Sequence, residues 1–506
     1  MAIIKGLLGW LEDRTGLGGA VKPILDHKVP YTNWKNGWWY VLGSAVLVAF
    51  SIQVITGIAL STSYVSSAAD AYESLKFITE EMTFGSFLRG MHFWGGSAMV
   101  LLVGAHALHV FIVGAFKFPR EVNWLSGVVL FFATLGMGFT GQLLRWDQTA
   151  FWSVIVGADQ AARTPFIGES LAKFVMAGNT VGGATLSRFF AYHVFFIPGI
   201  IFLFIGLHLF LVIRNGISEP PQRGEAVDPK TYRQRYHDML EKTGVPFWPD
   251  AAWRDAVGAI IVVLGVVGLA IFLGPPALEA PPDPTQLSVY PRPDWYLLWY
   301  FSVLALIPPK AEPYVILGGP GLAVVLMFIL PLVANKGERS PLRRPWAMGF
   351  VLLLVIMIST LWITGLVSPW SPNLTTKPID PAFFKASTAQ VQTGAKLFYD
   401  KGCQYCHAIE VNGVAAGPTD AASPGSPRLV GGARGPNLSS VGSRLTKEQI
   451  VVRILNGGNA MPQFGTLLKP DELDALVAFM ESRTYAKDGK QGQGQGLEIS
   501  SADQKK

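Results

Sequence analysis

Two hydrophobic stretches decide the fold: MHFWGGSAMVLLVGAHALHVFIVGAF at residues 91–116 and FFAYHVFFIPGIIFLFIGLHLFLVI at residues 189–213. Each is long enough for a helix that crosses a bilayer. Each carries two histidines: His92 and His106 are fourteen positions apart, and His193 and His208 are fifteen positions apart. At about 1.5 Å per residue a pair spans about 21–22 Å, and its members fall within about 60° of one helix face. Two such helices facing each other therefore bring the histidines together as two stacked pairs.

The stacked pairs predict two non-covalent haems, each ligated by two histidines, with His92, His106, His193 and His208 as the candidate ligands. A single histidine in a membrane helix is more often a hydrogen-bonded core residue. Two matched pairs on separate helices argue against that alternative, because core histidines have no reason to repeat at one spacing. His109 lies three residues after His106, on nearly the same face, and we interpret it as a polar neighbour rather than a ligand.

The composition indicates a membrane protein with several spans and a soluble part. Of the 506 residues, 50% are hydrophobic and 15% are charged, and the mean hydropathy is +0.34. The formal net charge of +6 predicts no nucleic-acid partner, because the basic residues lie in loops between apolar segments. Residues 1–29 lack the long apolar core of a signal peptide, and we expect an amphipathic helix lying on the membrane lipid.

Seven segments are apolar and long enough to span a bilayer. They cover residues 38–61, 91–116, 124–143, 189–213, 255–273, 314–334 and 346–366. Basic loops at 117–123, 214–254 and 335–345 belong in the cytoplasm with the N-terminus, by the positive-inside rule. Everything after residue 366 is then expected on the outer side. The predicted fold class is all-α, with a seven-span transmembrane helical bundle that holds the two b haems and a small all-α domain behind it.

The two cysteines of the chain, Cys403 and Cys406, lie in the motif Cys-Gln-Tyr-Cys-His that ends at His407. This motif predicts one covalent c-type haem, bound by thioether bonds from both cysteines and ligated by His407. Met461, followed by proline, is the expected second ligand, since a thioether opposite histidine raises the haem potential and suits an electron acceptor. A CxxC motif without the histidine would favour zinc or redox chemistry, and Met461 has packing as its alternative role.

Glycines accompany the histidines at the same spacing. Gly43 and Gly57 lie fourteen positions apart on the first predicted span, and Gly127 and Gly141 show the same separation on the third. A flat macrocycle between helices needs bare backbone on the helices beside its ligands. Close packing of helices through small residues is the ordinary alternative, and the repeat of the histidine spacing favours the haem interpretation.

Pro293-Asp294-Trp295-Tyr296 opens a short apolar helix on the expected outer side. A carboxylate there could accept a proton from a bound hydroquinone, provided that it lies within hydrogen-bond reach of the hydroxyl group. The alternative is structural, because aspartate often caps a helix and tryptophan and tyrosine often mark the membrane interface.

Together these motifs resemble cytochrome b of the quinol-oxidising cytochrome bc family over residues 30–366. The resemblance rests on the histidine pairs, the glycine pairs, Leu-Arg-Trp-Asp-Gln at 144–148 and Pro-Asp-Trp-Tyr at 293–296. The longer step between His193 and His208 and the three-span second half are similar to the chloroplast and bacterial branch, with its small subunit fused to the four-span part. Residues 385–486 resemble a class I cytochrome c.

The resemblance implies a role for each motif. His92 and His193 would hold the low-potential haem b near the outer face, and His106 and His208 the high-potential haem b near the cytoplasm. The Pro-Asp-Trp-Tyr motif would line the outer quinol site. Three positions depart from the family: Asp294 replaces glutamate, Arg145 replaces proline, and His109 stands where an arginine often meets a haem propionate.

We therefore divide the chain into seven parts. They are an amphipathic surface helix (1–29), a four-span domain (30–213), a cytoplasmic connector (214–254), a three-span domain (255–366), a linker (367–384), a cytochrome c domain (385–486) and a disordered tail (487–506).

The expected function is that of a cytochrome b/c fusion subunit of a quinol:cytochrome c oxidoreductase in a bacterial cytoplasmic (inner) membrane. Quinol, which we expect to be menaquinol, would be oxidised at the outer face with proton translocation. Expected partners are a separate Rieske iron–sulfur protein, a downstream cytochrome or oxidase, and a second copy of the chain in a homodimer. The alternative is a non-catalytic dihaem anchor that conducts electrons for a partner enzyme, which leaves the glycine pairs and Pro-Asp-Trp-Tyr unexplained.

Overall fold

Seven apolar helices dominate the computed structural model. It describes the chain except residues 1, 17, 18, 20, 21, 23, 24, 34–36, 284–290, 309, 368–387, 412–427, 432–434, 458–460, 462, 466 and 485–506. Within the described part, the helices long and apolar enough to cross a membrane are Trp38–Ser61, Gly85–Ile112, Glu121–Leu143, Gly183–Asn215, Phe247–Phe272, Glu312–Val333 and Pro345–Val367. We call them the first to seventh spans. The predicted all-α fold class is confirmed.

The second span begins earlier and ends earlier than its hydropathy indicates. It runs over Gly85–Ile112, whereas the apolar stretch covers residues 91–116. The helix stops because Gly114 adopts a positive φ of 62°, a backbone conformation that glycine reaches without steric cost. The apolar residues after Ile112 therefore belong to a turn.

The fourth span contains one π-helical turn, Tyr192–Phe196, which includes His193. In this turn the Ile197 N–H donates to the Tyr192 carbonyl, five residues earlier. Pro198 follows in the first turn of Ile197–Asn215, and a proline there lacks a backbone donor and crowds the carbonyl four residues before it. The π turn adds one residue to the helix without advancing its face. The step of fifteen positions from His193 to His208 thus acts as a step of fourteen.

Shorter helices lie before the first span and between the spans. Their bounds are Ala2–Thr15, Ala71–Glu80, Gln148–Ala162, Gly168–Met176, Tyr232–Thr243 and Leu298–Leu306, the last preceded by a 3-10 turn at Trp295–Leu297. The short helix predicted to open at Pro293-Asp294-Trp295-Tyr296 is confirmed. Asp147 begins the helix Gln148–Ala162 by accepting a hydrogen bond from the Ala150 N–H at 3.0 Å, a standard N-cap.

The described residues form two compact units. The first unit comprises Met1–Arg145, Ser187–Leu278 and Pro293–Ser368, and the second comprises Trp146–Leu186, Glu279–Arg292 and Pro369–Lys506. Two short antiparallel ladders lie in the first unit: Lys28–Val29 with Val245–Pro246, and Ala226–Val227 with Gly337–Glu338.

Within the first unit, the four-span part and the three-span part cap each other's helix ends. Arg344, before the seventh span, donates to the carbonyls of Phe111 and Ile112 at 3.0 and 3.1 Å. Lys117, after the second span, donates to the carbonyl of Ala334 at 2.7 Å, at the end of the sixth span. The last carbonyls of a helix lack intrahelical donors and carry a partial negative charge, so these cations join the two parts.

In the second unit, the C-terminal region packs short helices around an apolar core. The helices are Ala389–Asp400, Val441–Arg444, Lys447–Asn456 and Pro470–Glu481, and Ala408–Val411 pairs with Arg428–Gly431. Phe398 and Phe479 are fully buried, with ring centroids 5.7 Å apart. The predicted linker, apart from its first residue, and the predicted tail lie outside the described residues.

Candidate haem and quinol sites

The first histidine pair, His92 on the second span and His193 on the fourth, has the geometry of two ligands on one metal atom. The ring centroids lie 6.1 Å apart, and the ring planes cross at 77°. Two imidazoles that share a metal at about 2 Å per metal–nitrogen bond have centroids about 6 Å apart. The two rings therefore fit a single iron atom between them.

Neighbouring threonines determine which nitrogen of each imidazole in this pair carries the proton. The Thr56 hydroxyl lies 2.9 Å from Nδ1 of His92 and donates its proton to the Ile52 carbonyl at 2.6 Å. A hydroxyl has one proton to donate, so Thr56 accepts the hydrogen bond from Nδ1–H. Thr140 does the same for His193, at 3.1 Å from Nδ1. With the proton on Nδ1, the Nε2 lone pair of each ring is free to bind a metal.

The second histidine pair, His106 and His208, lines a cavity of about 470 Å³ together with Gly43 and Gly127. Pockets for small molecules and cofactors have volumes of about 300–1,000 Å³, and a macrocycle fits this range. Ser126 lies 2.8 Å from Nδ1 of His208 and donates to the Asn123 carbonyl, so His208 has the same tautomer as the first pair. The Nδ1 atom of His106 is buried and has no hydrogen-bond partner among the described residues.

Each of the four glycines faces one histidine. A Cβ atom built on the glycine would approach the Cε1 atom of an imidazole: 3.4 Å for Gly43 and His106, 3.2 Å for Gly57 and His92, 3.6 Å for Gly127 and His208, and 2.6 Å for Gly141 and His193. The sequence predicted bare backbone for the macrocycle. The structure places that bare backbone against the four imidazole rings.

The hydroxyl groups beside the histidines were not predicted, although a pattern in the sequence indicates them. Thr56, Ser126 and Thr140 each stand directly before one of the four glycines. A side chain one residue before the glycine reaches the far nitrogen of the imidazole that the glycine faces. The fourth glycine, Gly43, follows Leu42, which offers no hydroxyl to His106.

His109 lies beside the second histidine pair without joining it. Its ring stacks on Trp39 with centroids 6.1 Å apart and meets Tyr40 edge to face at 5.6 Å. It also lines the cavity that holds His106 and His208. These contacts match a polar neighbour held by aromatic rings.

Near the C-terminal end of the third span, Asp294 and Tyr296 form a hydrogen-bonded pair. The Tyr296 hydroxyl donates to Oδ2 of Asp294 at 3.1 Å. The same hydroxyl packs against Gly138, where a Cβ atom would collide with it. Gly138 is one helical turn from Gly141, so this pair lies near the first histidine pair. Among the motif's other members, Trp295 uses its carbonyl to accept from Trp362 at 2.8 Å, and Pro293 precedes the turn.

The surroundings of Asp294 make its carboxyl group a weaker acid than that of an exposed aspartate. Burial raises the pKa of the Asp294 carboxyl group above its ordinary value, while the Tyr296 hydrogen bond and the charge of Arg145 oppose that rise. Burial also raises the pKa of Tyr296, so the phenol stays protonated and can only donate to an ionised Asp294. A carboxylate with a raised pKa is better suited to accept a proton from an organic hydroxyl group.

A second polar pair, Ser44 and Asp255, lies at the second histidine pair. The Ser44 hydroxyl lies 2.7 Å from Oδ1 of Asp255, and both residues line the cavity of His106 and His208. Ser44 directly follows Gly43, so it lies beside the imidazole of His106.

In the C-terminal region, His407 is oriented as a metal ligand. Its Nδ1 lies 2.9 Å from the Pro436 carbonyl, which can only accept, so Nε2 carries the free lone pair. Burial lowers the pKa of His407, although the hydrogen bond to the Pro436 carbonyl acts to raise it. The net shift favours the neutral ring. Gly435 has no space for a Cβ atom beside the ring. Cys403 begins the 3-10 turn Cys403–Tyr405 and Cys406 follows it, and Met461 packs against the domain core.

Three family models match the chain. One described as cytochrome b/b6/petB covers residues 30–216, and one described as cytochrome b(C-terminal)/b6/petD covers residues 281–384. A third, described as cytochrome C oxidase, cbb3-type, subunit III, covers residues 389–480. The last match indicates a cytochrome c domain behind the membrane part.

Individual proteins are similar over long stretches. The menaquinol:cytochrome c reductase cytochrome b subunit of Bacillus subtilis (strain 168) is 38% identical over 224 residues, which are 43% of this chain and all of the relative. The cytochrome bc complex cytochrome b subunit of Chlorobaculum thiosulfatiphilum is 31% identical and covers 70% of this chain and 79% of its own length. A solved structure, the hyperthermophilic respiratory Complex III, superposes with a TM-score of 0.61 at 25% identity over 79% of this chain and 96% of that chain.

Proposed function

Because the chain belongs to the cytochrome b/b6 family, we propose that it oxidises quinol as the cytochrome b/c fusion subunit of a bc-type oxidoreductase. It is a multi-pass membrane protein that uses haem, and its relatives are subunits of redox complexes. The observation that carries the finer proposal is the pairing of His92 with His193 at 6.1 Å, with both Nδ1 atoms protonated toward threonines.

The cofactors that we propose are two b haems and one covalent c haem. His92 and His193 would hold one b haem, and His106 and His208 the other. Cys403 and Cys406 would attach the c haem, and His407 and Met461 would bind its iron. Bound haem supplies one-electron carriers at these positions.

Quinol oxidation is assigned to the Asp294–Tyr296 pair. The Asp294 carboxylate accepts a proton from the quinol hydroxyl group, and its raised pKa brings the acceptor closer to that donor. The Tyr296 hydroxyl holds the carboxylate in place through the 3.1 Å hydrogen bond. The protonated Asp294 then releases this proton to water on the outer side, and the second quinol proton would leave with the electron that goes to the Rieske partner.

The two electrons of the quinol are expected to separate. One leaves through a Rieske iron–sulfur partner toward the C-terminal domain, and the other crosses the membrane from the first to the second histidine pair. Ser44 and Asp255 lie beside the second pair, where a hydroxyl and a carboxyl group can bind and protonate a quinone. The relative from Bacillus subtilis is named for menaquinol, which favours menaquinol as the substrate here.

The seven spans would cross a bacterial cytoplasmic membrane with the N-terminus inside and the c domain outside. The partners would be the Rieske protein, a downstream cytochrome or oxidase, and a second copy of this chain.

The test combines haem counting with quinol turnover in the purified complex. A pyridine haemochrome spectrum is expected to give two b haems and one c haem per chain. Asp294→Asn, which removes the proton acceptor, is expected to lower quinol turnover by about 10²–10⁴-fold with the haem count unchanged. Asp294→Glu keeps a carboxylate and should retain far more activity.

Two results would contradict the proposal. A single b haem in the unaltered chain would refute the two-pair assignment. Undiminished quinol turnover in Asp294→Asn would instead favour a non-catalytic electron conduit, since such a conduit has no use for the carboxylate.

A further inference from the structure

The two histidine pairs differ in their hydrogen bonding. In the first pair, both imidazoles donate from Nδ1 to a threonine, Thr56 at 2.9 Å and Thr140 at 3.1 Å. In the second pair, His208 has Ser126 at 2.8 Å, but the buried Nδ1 of His106 finds no partner among the described residues. Within that part of the chain, one imidazole donor of the four is thus left without an acceptor.

The cause of this difference is the residue before the facing glycine. Thr56-Gly57, Ser126-Gly127 and Thr140-Gly141 each pair a hydroxyl residue with the glycine, whereas Leu42-Gly43 does not. Leu42 and Thr56 lie fourteen positions apart on the first span, within about 40° of the same helix face. A hydroxyl at position 42 would therefore reach His106 as Thr56 reaches His92.

A hydrogen bond accepted from Nδ1–H makes the imidazole a stronger electron donor through Nε2. Stronger donation stabilises the more positively charged, oxidised iron, and so lowers the reduction potential of a haem bound there. Both histidines of the first pair donate such a hydrogen bond, but in the second pair only His208 does.

The order of the two potentials is already implied by the resemblance to cytochrome b. We propose that Leu42 contributes to it, because Leu42 leaves His106 without a hydrogen-bond acceptor and so raises the reduction potential of the haem at the second pair. The proposal rests on the proposed function, because it requires one haem at each pair. Leu42 is a positioning residue in this sense: it acts on the haem through His106. The consequence is a downhill path for electrons from the quinol-oxidising end of the bundle to the other end.

Charge acts in the same direction and has to be separated from this effect. Arg120 and Arg254 line the cavity of the second pair, and a positive charge near a haem also raises its potential. The substitutions below change no charge, so they report the hydrogen bond alone.

The experiment compares Leu42→Thr with Leu42→Val in the full chain. Valine matches threonine in shape and branching but lacks the hydroxyl. Midpoint potentials of the two b haems are measured by spectroelectrochemical titration, and haem content by pyridine haemochrome. Leu42→Thr is expected to lower the potential of the higher-potential b haem by about 59 mV, the one-electron equivalent of a tenfold change in equilibrium. Leu42→Val should leave it unchanged.

The reverse change tests the same idea at the first pair. Thr56→Val removes the acceptor from His92 and is expected to raise the potential of the lower-potential haem, while Thr56→Ser keeps the hydroxyl and should restore it. This variant decides the matter if Leu42→Thr does not assemble.

The outcomes separate the two proposals. If the chain binds two b haems but neither hydroxyl change shifts a midpoint potential, the role of Leu42 is refuted and the proposed function stands. Fewer than two b haems in the unaltered chain would refute the proposed function itself.

Discussion

At the scale of single residues, the four glycines differ in how closely each approaches its histidine. A methyl group on Gly141 would lie 2.6 Å from Cε1 of His193, whereas one on Gly127 would lie 3.6 Å from Cε1 of His208. The first distance is far below van der Waals contact, and the second is ordinary contact.

Gly141→Ala is therefore expected to displace His193 and to lose about one b haem per chain. Gly127→Ala, the matched control on the same span, should keep both. Haem content of the purified chain by pyridine haemochrome checks this. Equal haem content in the two variants would show that the imidazole of His193 can move aside without losing its iron.

Arg145 provides a second test at this scale. Its positive charge opposes the rise in the pKa of Asp294 that burial produces. Arg145→Gln should therefore raise that pKa further. The ionised fraction of Asp294 at a given pH then falls, and the acidic limb of quinol turnover shifts to higher pH.

The measurement is the pH profile of kcat for quinol oxidation, with Arg145→Lys as the control that keeps the charge. A profile that does not move in Arg145→Gln would mean that Asp294 does not limit the reaction on the acidic side.

At the scale of elements, the π turn of the fourth span explains why the two histidine steps differ in length. Regular α-helix separates His92 from His106 by fourteen positions, whereas the fifteen positions from His193 to His208 run through the π turn at Tyr192–Phe196. The extra residue is absorbed in the wide turn that precedes Pro198. Both helices can then present their histidines at matching positions.

Deleting Val194 together with Pro198→Ala should produce a regular helix with the shorter histidine step, and both b haems are expected to remain. Deleting Leu203 alone, outside the π turn and with Pro198 kept, should rotate His208 by about 100° relative to His193. We expect that variant to lose b haem. The ratio of haem b to covalent haem c in each purified variant decides between these outcomes, and equal loss in both would contradict the role of the π turn.

At the scale of the whole molecule, the four-span and three-span parts are held together by contacts that do not need the connector. Trp94 donates to the Gly274 carbonyl at 2.8 Å, and Trp124 to the Met327 carbonyl at 2.7 Å. Arg344 and Lys117 add the reciprocal caps at the helix ends. The relative from Bacillus subtilis matches 43% of this chain with its whole length, so a cytochrome b subunit of that shorter length exists as a separate polypeptide.

Splitting the chain between the exposed residues Arg223 and Gly224 should therefore yield two polypeptides that assemble when they are produced together. Co-purification of the halves with b haem is the measurement. Adding Arg344→Gln to the split protein removes the cap on the second span, and we expect a lower yield of complex. Halves that never associate would show that the covalent connector is required.

Much of this architecture could be predicted from the sequence. Seven spans, the short helix after Pro293-Asp294-Trp295-Tyr296 and the C-terminal domain follow from hydropathy and local motifs, because these depend on neighbours in the chain. Helix ends were less predictable: the second span stops at Ile112 because Gly114 turns the backbone, and hydropathy does not record φ.

By itself, the sequence determined the class of the protein and predicted the residues that would bind its haems. The paired histidines and glycines and the Cys-Gln-Tyr-Cys-His motif carry their chemistry in residue type and spacing. Only the tertiary structure decided which groups act on those residues. Thr56 meets His92 across 36 positions, Thr140 meets His193 across 53, and Ser44 meets Asp255 across 211. Such contacts form when separate helices pack, and no local pattern encodes which faces will meet.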